Sequence, residues 1–505
     1  MNATRMHFKL TKRWLSLLAF VALTATLAAG VLIPRQYYPA KQKLPHAFII
    51  KNAHVVDAAG GTIHANRQLI IRDGIIERID TAVHAYSDGL DVIDAHGQYL
   101  VPSFWDMHVH TLSLSPQLHF PLLIANGVTH MRDMGDGDSW KSDMQDNDLR
   151  DKTIWEEMER SRGLLKPHIM EATSFHLEEV GALDEHNTQA MAHQIVSTLK
   201  ARHEPFIKVQ LTEGDYPTEF FYDLQREADK QGIPVLGHLP ADVDIHRVLK
   251  NKFRSIEHAW ALMPHGVSAK KQGGSDIERK SFQLRHQDSL VVQKMLASMA
   301  AQATYYVPTH VTSNRKEYLA FDDEFSRDPR TKYTETIQLL LWRGSDWLHT
   351  LGYDEETEVP ILKEYYERGL EMTGLAHKSG VKIMAGTDAL DRHVYYGFSL
   401  HDELHELVKA GLTNAEALQA ATLEPARYYG VSDQWGTIEV GKRADLLFLK
   451  KNPMEDIRNT QTITNVMFNN SLYESEDVEA MKSFVHRQAK SFSISCKFIW
   501  NMIKS

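Results

Sequence analysis

The most constraining feature of this 505-residue chain is a pair of histidines at the end of an apolar run. In residues 101–110, His108 and His110 are separated by one valine. On a β-strand, residues i and i+2 point to the same face, so both imidazoles can reach one metal ion. Further short apolar runs end in a residue that can bind a metal or move a proton, namely Lys208, His238, His258 and Asp388.

This pattern predicts a barrel of parallel strands. In a (β/α)8 barrel the catalytic groups lie at the carboxyl ends of the strands, so ligands that are distant in sequence meet at one mouth. Between these runs, strand-like segments alternate with helical patterns, as a parallel barrel requires. The predicted strands end near His110, Arg132, Ser174, Gln210, His238, His258, His310 and Asp388.

The order of these residues resembles the amidohydrolase superfamily. The resemblance covers residues 47–473 and includes the stretches 127–135, 411–418, 421–427 and 436–446. Among its branches, the chain looks closest to imidazolonepropionase-like hydrolases and to prolidase-type dipeptidases. The resemblance implies an α/β fold with a (β/α)8 TIM-type barrel inserted into a small β-sandwich domain, which both flanks of the barrel form.

The sequence divides into five segments on this interpretation. Residues 45–100 and 429–473 contain the strand patterns of the β-domain, and residues 101–428 contain the barrel. Residues 474–505 read as a helical tail outside the family resemblance, for which packing on the barrel is expected. Two long polar or charged stretches, 266–287 and 322–367, are interpreted as an excursion at the barrel mouth and a largely helical lid.

Residues 1–35 have the pattern of an export segment. Arg5, Lys9, Lys12 and Arg13 precede an uncharged apolar run that extends over residues 14–34. A basic cluster before such a run indicates a signal peptide or an uncleaved membrane anchor. We therefore expect an exported protein, either periplasmic or held at the inner membrane with its body in the periplasm.

The predicted site holds two divalent metal ions, with zinc expected. His108, His110 and Asp388 would bind one ion, and His238 and His258 would bind the other. The resemblance implies that Lys208 bridges them as a carbamate formed with carbon dioxide. It also implies that a metal-bound hydroxide attacks a polarised carbonyl while Asp388 carries the water proton to the leaving nitrogen.

Each of these residues also has an ordinary structural explanation. A lone His-x-His is usually structural, Lys208 could extend to solvent, and Asp388 could cap a helix. It is improbable that all six residues, in this order, have only structural roles. The pattern therefore favours a metal site. His401 and His405 resemble a zincin motif, but the glutamate between them is misplaced, so they are assigned to a helix surface or to the surroundings of the site.

The expected reaction is hydrolysis of amide (C–N) bonds in small substrates such as dipeptides or cyclic amides. Candidate substrate contacts are His176, Tyr306, His310 and His393. A lactonase or phosphotriesterase-like esterase is the alternative enzyme, and a non-catalytic periplasmic binding module is the less favoured one.

The composition of the chain limits the classes of molecule that it is expected to bind. The net charge of −10 gives no basic field for nucleic acid, and the single cysteine, Cys496, excludes an intrachain disulfide. A membrane tether through the N-terminal segment and a homo-oligomer remain open.

Overall fold

A computed structural model describes most of the chain. The described residues are 2–81, 89–136, 147–173, 176–177, 187–211, 214, 216–268, 274–322, 325 and 327–504. The predicted strand end at Ser174 lies outside them.

The strands of the described residues are β1 (Ala47–Asp57), β2 (Thr62–Arg72), β3 (Ile75–Thr81), β4 (Asp91–Asp94), β5 (Tyr99–Pro102), β6 (Phe104–Thr111), β7 (Val128–Asp136), β8 (His168–Ala172), β9 (His176–Leu177), β10 (Ile207–Val209), β11 (Val235–Gly237), β12 (Phe253–Glu257), β13 (Tyr305–Val307), β14 (Leu446–Leu449), β15 (Ile463–Phe468) and β16 (Ser471–Tyr473).

The α-helices are α1 (Asn2–Leu32), α2 (Ser115–Leu118), α3 (Phe120–Ala125), α4 (Asn147–Arg162), α5 (Thr188–Ala201), α6 (Thr218–Gln231), α7 (Ile245–Lys250), α8 (Asp276–Arg285), α9 (Ser289–Ala301), α10 (Ser313–Leu319), α11 (Thr336–Leu351), α12 (Val359–Lys378), α13 (Phe398–Lys409), α14 (Asn414–Ala420), α15 (Leu423–Tyr428), α16 (Ser475–Ala489) and α17 (Phe492–Lys504). Short 3-10 helices cover Ala259–His265, Pro329–Tyr333 and Ile457–Gln461.

Strands from both flanks form one eight-stranded sheet. Its order is β16-β15-β14-β5-β1-β2-β3, with β4 beside β1. The joint between the flanks is the antiparallel pair β5 and β14, in which Pro102 lies opposite Leu446. Buried apolar side chains such as Phe48, Leu69 and Phe448 form a core of their own behind this sheet. The described strands of the flanks belong to this single sheet, so the predicted β-sandwich stays a prediction.

Two parallel sheets lie between the flanks. One has the order β6-β7-β8 and the other β13-β12-β11-β10-β9. The segment 382–389 lies between them, because Met384 N donates to Tyr306 O (3.0 Å) and Met107 N donates to Ala385 O (3.0 Å). The region is thus mixed α/β with parallel sheets, as the sequence predicted. Closure into a complete barrel stays a prediction at this point.

The parallel strands end at the predicted ligands. Strand β10 contains Lys208, β11 ends one residue before His238, and β12 ends one residue before His258. His108 and His110 lie in the last half of β6. Since the carboxyl ends of parallel strands share one edge, these side chains are carried to the same side of the molecule.

One of the two long connections contains more helix than the sequence pattern indicated. The stretch 266–287 lacks clear periodicity, yet it contains helix α8, which begins with a capping box formed by Ser275 and Glu278. Such a helix is specified by its first turn rather than by an apolar stripe. The stretch 322–367 contains α11 and the first part of α12, in agreement with its predicted helical character, and its role as a lid stays a prediction.

The two terminal helices pack against each other. Lys497 Nζ in α17 donates to the carbonyl oxygens of Gly30 (3.1 Å) and Ile33 (2.7 Å). The tail consists of α16 and α17, and Val478 and Phe484 of α16 are buried. Among the described residues, the helices include none that is both long and apolar enough to span a bilayer. The signal peptide or anchor stays a prediction.

Candidate metal centre

Three predicted ligands meet at the carboxyl edge of the parallel strands. Ligand atoms of His108, His258 and Asp388 all lie within 4.8 Å of one another. Asp388 Oδ1 is 3.3 Å from His108 Nε2 and 3.0 Å from His110 Nε2. The structure thus brings together the residues that were predicted to hold the first ion.

The residues predicted for the second ion also face each other. The Nε2 atoms of His238 and His258 are 2.9 Å apart. Burial lowers the pKa of both imidazoles well below the usual value, so both are neutral near pH 7. His258 Nδ1 is 2.8 Å from Thr309 Oγ1, which fixes the orientation of its ring.

Lys208 lies between the two groups. Its side chain is buried, and Nζ is 3.2 Å from His108 Nε2. Gly237 makes room for the lysine stem, because a Cβ on this glycine would approach Lys208 Cδ to 3.1 Å and Val209 O to 2.5 Å. Lys208 thus lies beside His108 in a buried position, and its role as a bridge between two ions stays a prediction.

The outer hydrogen bonds of His108 and His110 orient their inner nitrogens. Glu257 Oε2 is 2.8 Å from His108 Nδ1. Although burial alone would raise the pKa of Glu257, Arg132 and His108 lower it to about 2, so the group is a carboxylate and accepts the Nδ1–H. His110 Nδ1 donates to the carbonyl of Gly135 (3.0 Å). Both Nε2 atoms therefore present a lone pair to Asp388.

Those lone pairs face a charged carboxylate. Burial raises the pKa of Asp388, whereas a positive charge at His108 and protons donated by His108 and His110 lower it well below its usual value. With both Nε2 atoms unprotonated, an ionised Asp388 requires a cation at this position. Two imidazole lone pairs and a carboxylate at about 3 Å repel one another unless a cation lies between them. This donor set fits a divalent metal ion, because neutral imidazole and carboxylate are the ligands that zinc-like metals take.

A buried ion pair supports His108 from behind. Arg132 Nη2 is 2.7 Å from Glu257 Oε1, and both side chains are fully buried. The guanidinium also donates from Nε to Met107 O (2.8 Å) and from Nη1 to Ser255 Oγ (3.0 Å). Arg132 thereby ties Glu257 to the strand that carries the two histidines.

A second carboxylate fixes the backbone next to Asp388. Asp106 accepts from Thr387 N (2.9 Å) and from Thr387 Oγ1 (2.7 Å). Asp388 itself has φ of +62° and donates its N–H to His108 O (2.7 Å). This left-handed conformation is uncommon for a residue other than glycine and is maintained by the surrounding hydrogen bonds.

Sequence reasoning missed Asp106, Arg132 and Glu257 as functional residues. Signals were present, since Asp106 is two residues before His108 on the same strand and Glu257 directly precedes His258. Arg132 lies within one of the stretches that carried the family resemblance. What the sequence lacked was the pairing of Arg132 with Glu257 across 125 positions.

The candidate substrate contacts lie in different settings, and their roles stay predictions. Tyr306 is fully buried in the core, and His310 Nε2 is 2.9 Å from Thr373 Oγ1. His393 Nε2 is 2.7 Å from Asp346 Oδ2 of helix α11. The backbone of His176 pairs with that of Lys208, and the side chain of His176 lies outside the described part of the chain.

Comparison with solved structures shows the fold. A bottromycin amidohydrolase superposes with a TM-score of 0.67 at 21% identity, covering 93% of this chain and 94% of that one. A Xaa-Pro dipeptidase with methionine bound in its active site superposes with a TM-score of 0.59 at 20% identity, covering 85% and 100%.

Sequence comparison gives a short match and a long one. A dihydroorotase from Thermoanaerobacter sp. is 47% identical over 62 residues, which is 12% of this chain and 14% of that relative. The chain thus spans only a small part of the curated relatives that it matches. The profile of the amidohydrolase family, in contrast, matches residues 99–472. The predicted resemblance is confirmed, and the chain belongs to the amidohydrolase family.

Proposed function

We propose that this protein is a metal-dependent hydrolase that cleaves C–N bonds in small amide substrates. The observation that carries the proposal is the convergence of the His108 and His110 lone pairs on the ionised Asp388. Family membership supports hydrolytic chemistry in general terms. Dipeptides and cyclic amides are the proposed substrate class, in line with the similarity to a Xaa-Pro dipeptidase structure and to a dihydroorotase.

The residues divide into two ligand groups. His108, His110 and Asp388 would hold one divalent ion, and His238 with His258 would hold the other, with zinc as the proposed metal. Bound there, such ions supply Lewis acidity and lower the pKa of a water ligand towards neutrality. Asp388 faces both groups, because His258 Nδ1 is 3.8 Å from its Oδ2.

Lys208 is proposed to complete the centre as a carbamate. The neutral amine attacks carbon dioxide, a new N–C bond forms, and one proton is released, which leaves a carboxylate with two oxygens. A plain ammonium has no lone pair for a metal, whereas the carbamate has two donor atoms. The buried position of Nζ, 3.2 Å from His108 Nε2, supports this assignment.

Asp388 is proposed to move the proton. Its carboxylate lies against the ligand nitrogens and can accept a proton from the attacking water. It then delivers that proton to the leaving nitrogen, which must be protonated before the C–N bond breaks. The hydrogen bonds from Asp106 through Thr387 hold the Asp388 backbone in place for this transfer.

We also infer that the parallel strands close into a barrel. Strand β8 pairs with β7, and β9 pairs with β10. Both short strands belong to the single stretch 168–177, so this stretch joins one parallel sheet to the other. The segment 382–389 joins them on the opposite side. Together these contacts support the eight-stranded closure that the family implies.

Metal content per chain, measured with and without bicarbonate, tests the centre. We expect two ions in the unmodified chain, with the second dependent on bicarbonate. Lys208→Ala should retain fewer ions and lose the bicarbonate dependence. Lys280→Ala is the matched control, because Lys280 is also buried but pairs with Asp276 and Glu317.

Turnover on panels of dipeptides, cyclic amides, lactones and phosphotriesters tests the reaction. We expect amide hydrolysis that Asp388→Asn abolishes while the far-ultraviolet circular dichroism is unchanged. Full activity in Asp388→Asn would refute the proton transfer, and two ions bound by Lys208→Ala would refute the bridge. Turnover confined to lactones or phosphotriesters would replace the amide substrate class.

A further inference from the structure

A second cluster of ligand atoms lies at the opposite edge of the parallel strands. His130 is the third residue of β7, and His168 is the first residue of β8. The two residues lie opposite each other in the register of these parallel strands. Asp445 immediately precedes β14 of the eight-stranded sheet. One ligand atom from each of these residues lies within 4.8 Å of the others. The proposed catalytic centre uses none of them.

One ring nitrogen of His130 is buried without a partner. Thr129 Oγ1 is 2.5 Å from Ser103 Oγ and 2.8 Å from His130 Nδ1, so Nδ1 has a hydrogen-bond partner. His130 Nε2 is buried without a hydrogen-bond partner among the described residues. A buried polar atom without a partner is costly and calls for an explanation.

Aromatic rings hold His130 in one orientation. Its ring stacks on Trp105 at 4.2 Å between centroids, and Trp435 packs edge-on at 5.5 Å. The His168 ring is 4.9 Å away and contacts Phe468. Burial lowers the pKa of both imidazoles, and Arg443 adds to this effect, while Asp445 opposes it at His168.

The Asp445 carboxylate is also fixed by its neighbours. Trp435 Nε1 donates to Oδ2 (3.1 Å), and Asn469 N donates to Oδ1 (2.8 Å). Each oxygen retains a second lone pair, because a carboxylate has about four acceptor sites. This outer arrangement is the kind that orients metal ligands in known sites.

Space for a fourth ligand is present beside the cluster. A pocket of about 680 Å³ is lined by His168, Asp445, Trp435 and Arg443. Lys166 also lines it but is paired with Glu159 (2.9 Å). The Arg443 guanidinium lies over the Trp435 ring, 5.2 Å from its centroid. Its positive charge would repel a cation bound at this cluster.

We propose that His130, His168 and Asp445 form a further divalent-metal site, separate from the catalytic centre. Two imidazoles, one carboxylate and a water from the pocket make a four-ligand set that suits Zn²⁺. The two histidines come from the barrel strands and Asp445 from the C-terminal flank, so the ion would tie the barrel to the β-domain. Bound metal would stabilise the folded chain by mass action.

Anomalous X-ray scattering from crystals of the full chain grown with Zn²⁺ locates the ion directly. We expect a zinc peak between the three side chains in addition to any peak at the catalytic centre. In a His108→Ala/His110→Ala background the peak at the second site should remain. Absence of this peak at saturating Zn²⁺ would overturn the proposal.

Metal counting with matched variants gives a second readout that does not involve activity. His168→Gln should lose one zinc equivalent and the Zn²⁺-dependent rise in melting temperature. His401→Gln is the control, because His401, like His130, is buried with an unpartnered Nε2 but is not part of a ligand cluster among the described residues. Equal zinc content in the two variants would contradict the site.

Removing the positive charge of Arg443 should strengthen Zn²⁺ binding at this site, which is the opposite of the effect expected for His168→Gln. Arg443→Met should bind Zn²⁺ several-fold more tightly than the unmodified chain at low salt, because a nearby positive charge opposes a cation. His168→Gln/Arg443→Met should show no such gain. An affinity unchanged by Arg443→Met would count against an ion at this position.

Discussion

Replacing Glu257 with glutamine should weaken both the fold and the metal centre, through two different contacts. One carboxylate oxygen faces Arg132 and the other faces His108. Glutamine has nearly the same shape, but it carries no charge. The variant therefore leaves the Arg132 guanidinium buried without a counter-ion and gives His108 a weaker acceptor.

The two effects have different magnitudes. Breaking a buried pair by removing one partner costs about 3–5 kcal/mol of unfolding free energy. Loss of an outer hydrogen-bond partner of a metal-binding histidine lowers metal affinity or activity by about 10–100-fold. The double variant Arg132→Met/Glu257→Gln removes the orphaned charge, so it should recover much of the stability but none of the metal affinity.

Urea unfolding and zinc titration measure these two effects separately. Glu171→Gln is the matched control, because Glu171 pairs with Arg254 at 2.9 Å in a partly exposed position. Pairs that keep contact with solvent contribute less than fully buried pairs, so the control should lose less stability than Glu257→Gln and no metal affinity.

Zinc affinity equal to that of the unmodified chain in Glu257→Gln would refute the argument about His108. It would mean that Glu257 serves only to balance the charge of Arg132. A stability loss no larger than that of Glu171→Gln would refute the argument about the buried pair.

Three further changes test the supports of the site. Gly237→Ala should lower the free energy of unfolding by roughly 2 kcal/mol or more, because its Cβ would meet a neighbouring carbonyl at 2.5 Å and φ is +122°. Gly232→Ala has open space around the new Cβ and should lower it by only about 1 kcal/mol in the same urea assay. Thr387→Val removes the hydroxyl that donates to Asp106 (2.7 Å) and should cost about 1–3 kcal/mol with a drop in kcat. Burial raises the pKa of Glu403 well above 4.5, so its contribution to stability is present below the unfolded pKa and is lost as pH rises. Glu403→Gln should therefore flatten the fall in unfolding free energy as the pH rises above about 4.5, and an unchanged slope would contradict this assignment.

The positions of the ligands were predictable from sequence because strand ends carry them. His108 and His110 share a strand face, and His238 and His258 directly follow their strands. In a parallel sheet, this order along the chain is enough to bring the residues together. No sequence pattern was needed beyond short apolar runs and the residue that ends each of them.

The contacts behind the ligands were not predictable in the same way. The pairing of Arg132 with Glu257 depends on side chains from two strands that are distant in sequence. Helix α8 was missed because its capping box, rather than periodicity, specifies it. The segment 382–389 is also irregular, with positive φ at Asp388, so its hydrogen bonds rather than its sequence pattern define it.

The shared sheet of the two flanks has a consequence for how the chain is made. Strand β5 finds its partner β14 only after residues 103–445 have been synthesised, so the long intervening segment must be brought back to close the sheet. Until then β5 presents an unpaired edge, which is a site for wrong association. The sheet that begins near the start of the sequence is therefore completed only after the C-terminal flank has been made.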